Sequence, residues 1–182
     1  VLRDHLPLCE QLGSMFAGLA EGLPATIDLE LQGEIGESDP SLAKLSFLKG
    51  LLGNIGGDPV SYVNAARLAE QRSLDVRVIT TPGEKGRSNL IRVTGDVHSL
   101  AGSLSPIDGN PRLNEVDGHR LDIRPSDDML IVRNHDIPGM VGIVGTMVGD
   151  AGVNISNMYI GEDADGVAAM MVISTDGLVP NN

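Results

Sequence analysis

The sequence contains no tryptophan, and only two phenylalanines and two tyrosines among 182 residues. It therefore offers no aromatic platform on which nucleic-acid bases could stack, and its core has to come from Leu, Val, Ile, Ala and Met. Basic residues are also scarce: 13 Lys and Arg stand against 25 Asp and Glu, a formal charge of −12. A field of that sign repels phosphate backbones and argues against a nucleic-acid partner. A small anion can be held only where basic side chains converge locally. Cys9 is the sole cysteine, which removes any disulfide framework or cysteine-ligated metal cluster within the chain and fits a reducing cytosol. The longest apolar stretch, Gly139 to Gly149, falls short of the ~20 residues of a membrane span. Val1-Leu2-Arg3-Asp4-His5 lacks the basic-then-apolar order of a signal peptide. The expectation is a cytoplasmic protein with no membrane partner. A start at Val rather than Met suggests a piece of a longer chain.

What is present is a globular composition, 41% hydrophobic with mean hydropathy near zero, long enough for one large or two small domains. Leu6, Leu8, Leu12, Met15, Phe16, Leu19 and Leu23 fall at helical spacing. Thr26-Ile27-Asp28-Leu29-Glu30-Leu31 alternates as a half-buried strand. "SDPSLAKLSFLKGLLGNI" predicts a helix with Ser38 or Asp39 as cap and Pro40 in the first turn. "VSYVNAARLAEQR" predicts another, with Val60, Val63, Ala66 and Leu68 or Ala69 on its inner side. From Asp75 the period becomes two: "DVRVITT", "NLIRVTGDV" and "HSLAGSLSP" read as strands, and "RLNEV-DG-HRLDI" as a two-residue hairpin with Asp117-Gly118 in a primed turn.

Arg124 to Asp128, "RPSDD", is a polar joint that divides the chain into domains 1–126 and 127–182. After it the pattern is strand, glycine-rich helix, strand, a hairpin at Glu162 to Gly166, and strand. The predicted class is α+β: a mixed α/β domain followed by a ferredoxin-like βαββ domain whose final helix and strand are missing.

"NHDIPGMVGIVGTMVGDAGVNI" places Gly139, Gly142, Gly145, Gly149 and Gly152 every three or four residues. Strand, glycine loop and helix suggest a phosphate cradle, but the spacing is G-x-x-G-x-x-G rather than G-x-G-x-x-G, and the stretch has no Lys. The glycines are expected instead to line a packing face that lets the backbone approach a sheet or another helix. Functional groups then fall on the flanks. Asn134, His135 and Asp136 sit where helix N–H groups become free, and Asn154 opens the next strand, within reach of that loop. An amino-acid zwitterion suits them: its carboxylate takes donors from the helix terminus and the Asn154 amide, and its ammonium takes Asp136 as acceptor. His135 is expected to be a solvated bystander.

The stretch "LIVRNHDIPGMVGIVGTMVGDAGVNISNMYIG", through its D-x-P-G and G-V-N-I elements, resembles an ACT domain, an amino-acid-sensing module. "YVNAARLAEQRSLDV" (Tyr62 to Val76), "AGSL" (Ala101 to Leu104) and "VDGHRLDI" (Val116 to Ile123) resemble the allosteric substrate-binding domain that precedes it in one class of D-3-phosphoglycerate dehydrogenase. The resemblance covers nearly the whole chain. It implies L-serine bound at an ACT dimer interface by Asn134, Asp136 and Asn154, where Asn134 departs from the His or Tyr frequent at that position. It also implies a phosphorylated, substrate-like effector held by Lys85, Arg87, Arg112 and Arg124, with Arg120 a weaker candidate. The oligomer implied is a dimer or tetramer. No catalytic centre and no cofactor are expected here, since NAD would bind a preceding catalytic part of the longer protein. Two alternatives stand beside this: the small part of an iron–sulfur L-serine dehydratase, and a dimerisation module that binds no ligand.

Overall fold

Thr26–Gln32 forms strand β1 in a computed structural model that describes residues 1–55, 59–82, 89–162 and 168–179. Its alternation does what period two requires: Ile27, Leu29 and Leu31 are fully buried, while Asp28 and Glu30 turn to the opposite face. β2 (Asp75–Thr81) pairs with β1 in parallel and β3 (Leu90–Thr94) antiparallel. β4 (Ser99–Leu104), β5 (Pro111–Val116) and β6 (His119–Ile123) extend the sheet, in the order β2-β1-β3-β4-β5-β6. A parallel neighbour needs a crossover. α2 (Ser41–Gly53) and α3 (Ala65–Gln71) supply it.

Asp39 serves the start of α2, its Oδ1 accepting from the Ser41 hydroxyl at 2.7 Å and from the Ser41 N–H at 3.0 Å. Those two bonds hold the Asp39 carboxyl below its ordinary range. The inner side of α3 differs from the expected one. Val63 is 94% exposed and Ala66 is exposed, whereas Ala65, Leu68 and Ala69 are buried. The reason is local: the Asn64 amide accepts from Ser61 N–H at 2.7 Å and donates to the Pro59 carbonyl at 2.9 Å. This ties 59–64 into a turn, so a helical phase counted from Val60 does not carry into the helix.

α1 (Leu2–Leu19) packs along α2. Gly13 and Gly50 sit at the crossing, where a Cβ on Gly13 would lie 2.8 Å from Leu51 N and one on Gly50 would lie 2.7 Å from the Glu10 carbonyl carbon. α1 also covers β4, and a Cβ on Gly102 would meet Leu8 Cδ1 at 3.0 Å. Cys9 lies inside this layer, and burial pushes its thiol up to about 12 from 9.0. The folded state therefore retains a proton that the unfolded chain loses above pH 9, so this thiol makes the fold less stable as pH rises from about 9 to 12. Native protein is expected to resist a thiol reagent such as DTNB at pH 8 and to react fully once unfolded in guanidinium. Rapid labelling of folded protein would contradict this.

The β5–β6 hairpin has Asp117 at φ 47° and Gly118 at φ 83°, the positive pair of a primed turn. Asp117 also anchors it sideways, accepting from Ser99 N–H at 2.8 Å and facing His98 Nδ1 at 3.0 Å.

The chain divides into two compact units, Val1–Gly118 and His119–Asn182, so the division falls within this hairpin turn, ahead of the polar joint at Arg124–Asp128. The second unit carries β7 (Met129–His135), α4 (Met140–Asp150), β8 (Ile155–Glu162) and β9 (Ala168–Thr175). Its sheet has the order β7-β9-β8, both pairs antiparallel. The class is α+β, with a ferredoxin-like βαββ arrangement in the second unit. Val144 and Val148 of α4 sit on Met171 and Ile173, with Leu130, Val132 and Met158 around them. Most of the hairpin expected at 162–166 lies outside the described residues. Among the described residues no helix is long and apolar enough to cross a membrane.

Candidate functional site

β7 ends at His135, and a short turn carries the chain into α4. Ile137 N–H donates to the His135 carbonyl at 2.9 Å, and Gly139 takes φ 95° at the helix cap, a left-handed conformation that favours glycine. Asp136 and His135 are exposed there. The Asn134 amide nitrogen donates to the His135 carbonyl at 2.7 Å. Its Oδ1 is shielded from solvent and has no hydrogen-bond partner among the described residues. A buried acceptor left unpaired costs about 1–3 kcal/mol.

At its other end α4 closes with Val153 N–H on the Val148 carbonyl at 3.2 Å, Gly152 following at φ 76°. Asn154 comes next, exposed, its N–H donating to Asp176 Oδ1 at 2.8 Å and its carbonyl accepting from Asp176 N–H at 3.1 Å. Its side chain is not used in these bonds.

The register separates the predicted residues. Asn134 pairs with Ala169, while Ile155, beside Asn154, pairs with Thr175. Six steps along β9 amount to about 20 Å. Asn134 and Asp136 thus lie at one end of α4 and Asn154 at the other. The expectation that Asn154 lies beside the Asn134–Asp136 loop in the same chain is corrected. The signal was available: a helix that runs back between two parallel strands reverses direction once, so the residues flanking it occupy opposite ends of the sheet.

Of the two packing roles expected of the α4 glycines, the approach to the unit's own sheet is not the one found. A Cβ built on Gly139, Gly142, Gly145, Gly149 or Gly152 meets nothing within 4 Å. The helix rests on Val144 and Val148, and the glycines face open space among the described residues. Outward as well are Val141, Ile143 and Met147, the last 67% exposed.

Of the expected basic cluster, Lys85 and Arg87 lie outside the described residues. Arg112 stands opposite Ser103 on β5, on the sheet face turned away from α1, and Arg124 directly follows β6; both already take part in interactions of their own. Arg120 is exposed on β6. Arg92 stands outside that expected cluster. It shares the face of Arg112 and forms a two-pronged ion pair with Glu115, with Nη2 to Oε2 at 3.0 Å. Glu115, and then Glu30 nearby, hold its guanidinium above the usual arginine range. The pair crosses Ala101, which registers with Arg92 on one side and Glu115 on the other. A direct juxtaposition of this kind across three strands leaves no pattern in sequence. Among the described residues no cluster of three His, Cys, Asp or Glu could hold a metal ion.

Residues 1–117 match the family model of the D-3-phosphoglycerate dehydrogenase intervening domain. The chain is 32% identical over 182 residues to the D-3-phosphoglycerate dehydrogenase of Mycobacterium leprae, covering 97% of this chain and 34% of the relative. Identity is 31% over 183 residues to the enzyme of Methanocaldococcus jannaschii, covering 98% and 34%. It is 33% over 189 residues to that of Synechocystis, covering 99% and 33%. The chain spans about a third of the length of these curated relatives.

Proposed function

The chain belongs to the family of the D-3-phosphoglycerate dehydrogenase intervening domain, and we propose that it is the C-terminal regulatory region of an NAD-dependent D-3-phosphoglycerate dehydrogenase of serine biosynthesis. In this proposal it works in the cytoplasm and binds L-serine as feedback effector across a pair of ACT-like units. Catalysis and NAD belong to a part of the longer protein outside this chain. A second, phosphorylated effector is assigned to Arg112 and Arg124, with Lys85 and Arg87.

One observation carries the serine site: its polar groups stand at opposite ends of a helix whose outward side from Val141 to Gly149, Thr146 apart, is apolar or glycine. No single chain can present Asn134, Asp136 and Asn154 to one small ligand. A two-fold pairing that lays α4 antiparallel beside α4 of a second copy brings the Asn134–Asp136 end of one to the Asn154 end of the other, twice. The glycines then permit close approach, and Ile143 and Met147 leave water. The effector carboxylate takes the free N–H groups of the first turn of α4 and the partner copy's Asn154 amide, and its ammonium takes Asp136.

Titration calorimetry with L-serine tests this, beside sedimentation to read the oligomer. Wild type is expected to bind as a dimer or larger, and Asn154→Ala to bind at least tenfold more weakly with its oligomeric state unchanged. Equal binding by both sinks the residue assignment. No binding by a wild-type dimer sinks the effector and leaves a dimerisation module.

A further inference from the structure

β8 and β9 pair as far as Ile155 and Thr175, and Asn154 and Asp176 stand one step beyond. Two residues opposite each other in an antiparallel ladder exchange both main-chain bonds or neither. This pair departs from that rule. Asp176 N–H donates to the Asn154 carbonyl at 3.1 Å, but the return bond from Asn154 N–H ends on the Asp176 side chain, at Oδ1, 2.8 Å away. A carboxylate in place of the main-chain acceptor lets the chain leave the sheet after Asp176. Thr175 Oγ1 secures that departure by donating to the Gly177 carbonyl at 2.9 Å. Asn154 is held from the other side as well: Gly152 at φ 76° and Val153 N–H on the Val148 carbonyl at 3.2 Å close α4 directly before it. The Asn154 main chain is thus tied on both sides, while its carboxamide takes part in neither bond with Asp176 and the residue is exposed.

An exposed side chain that has to meet a small ligand loses rotamer freedom on binding, and that loss is smaller where the chain is already pre-set. The rotamers open to a side chain depend on its backbone φ/ψ, so a held backbone narrows the directions in which the amide points. We infer that Asp176 is a positioning residue for effector binding: its Oδ1 fixes the Asn154 main chain, and through it the direction in which the Asn154 amide meets the carboxylate of an α-amino acid. The inference rests on the amino-acid proposal above, in which Asn154 reaches an effector seated on a second copy. Asp176 acts within its own chain and does not touch the ligand. A negative charge there opposes the anionic group that Asn154 serves. What Asp176 contributes is therefore an acceptor oxygen at the right place, and a neutral acceptor of the same shape serves equally.

The test is titration calorimetry with L-serine on the full chain, with sedimentation and thermal melting of each unliganded protein. Asp176→Ala is expected to bind about tenfold more weakly than wild type, with its oligomeric state unchanged. Asp176→Asn keeps Oδ1 as an acceptor and is expected to bind within about twofold of wild type. Thr175→Val removes the hydroxyl bonds to the Asp128 and Gly177 carbonyls one residue away. It is expected to lower the melting temperature at least as much as Asp176→Ala does, yet to keep serine affinity within about twofold of wild type. Adding Asp176→Ala to Asn154→Ala is expected to weaken binding no further, because the positioned group is gone. Wild-type affinity in Asp176→Ala overturns the inference and leaves the amino-acid site intact, and so does loss of binding in a folded Asp176→Asn. An added loss in the double variant, or a loss in Thr175→Val equal to that in Asp176→Ala, overturns it too, since either makes the role one of folding alone. Failure of wild type to bind L-serine overturns the amino-acid proposal and the inference together.

Discussion

Gly50→Ala is expected to destabilise the first unit by about 3 kcal/mol or more, a fall in melting temperature on the order of 10 °C. A Cβ at that position would fall on the carbonyl of Glu10, 2.7 Å from its carbon and 3.1 Å from its Cα. Both atoms belong to helix backbone, so no rotamer change relieves the clash and α1 must move away from α2. Gly13→Ala acts from the other side of the same crossing, against the Phe47 carbonyl and Leu51 N. Separating the helices then loosens the packing of Leu8, Cys9, Leu12, Phe47 and Leu51, all buried. The control is Gly149→Ala in α4, where the added methyl meets nothing within 4 Å. There alanine's helix propensity is worth about 0.5–1 kcal/mol. The unfolding stability of that variant is expected to rise, and its self-association to weaken if α4 pairs with a second copy. Guanidinium unfolding and sedimentation of the three variants check this; equal destabilisation by Gly50→Ala and Gly149→Ala would contradict it.

Arg92→Leu is expected to cost about 2–3 kcal/mol, more than an ordinary surface ion pair is worth. Glu115 is only 17% exposed in the pair and Arg92 29%. Removing the arginine leaves a largely covered carboxylate on a face that also carries Glu30. Replacing both partners, Arg92→Leu with Glu115→Leu, removes the stranded charge and is expected to recover most of the loss. A double-mutant cycle by denaturant unfolding separates the two contributions. Additivity of the single changes would show that the pair is not coupled. Because Arg112 occupies the same face, the Arg92 variants also bear on the proposed phosphorylated effector: any binding of it should survive if Arg92 is structural.

Much of the fold was legible because it is written in short-range pattern. β1 alternates, and the Asp117-Gly118 hairpin declares its turn through residues that tolerate positive φ. α1 shows its period over about four turns, from Leu6 to Leu19. The βαββ order of the second unit follows from the same signals. The helical phase of α3 was not legible, because Asn64 builds a side-chain-stabilised turn that resets the phase. Nor was the use of the glycines. Gly13 and Gly50 lie in two helices and touch across a crossing, a relation that exists only after the chain has folded. The regularly spaced glycines of α4 attract attention in sequence yet carry no contact among the described residues.

For the candidate site, residue chemistry was legible and position was not. Asn134, Asp136 and Asn154 could be singled out as carboxylate and amide groups flanking a helix, since helix ends carry unpaired backbone groups wherever they occur. The sequence alone also determined the acidic charge, the aliphatic core, the period of each strand and the place of the primed turn, because these depend on residues within a few positions of one another. Only the tertiary structure decided which glycines are irreplaceable, that Arg92 lies over Ala101 against Glu115, and that the flanks of α4 stand about 20 Å apart. Those outcomes depend on strand register and on the direction in which α4 returns, which couple residues distant in the chain through packing.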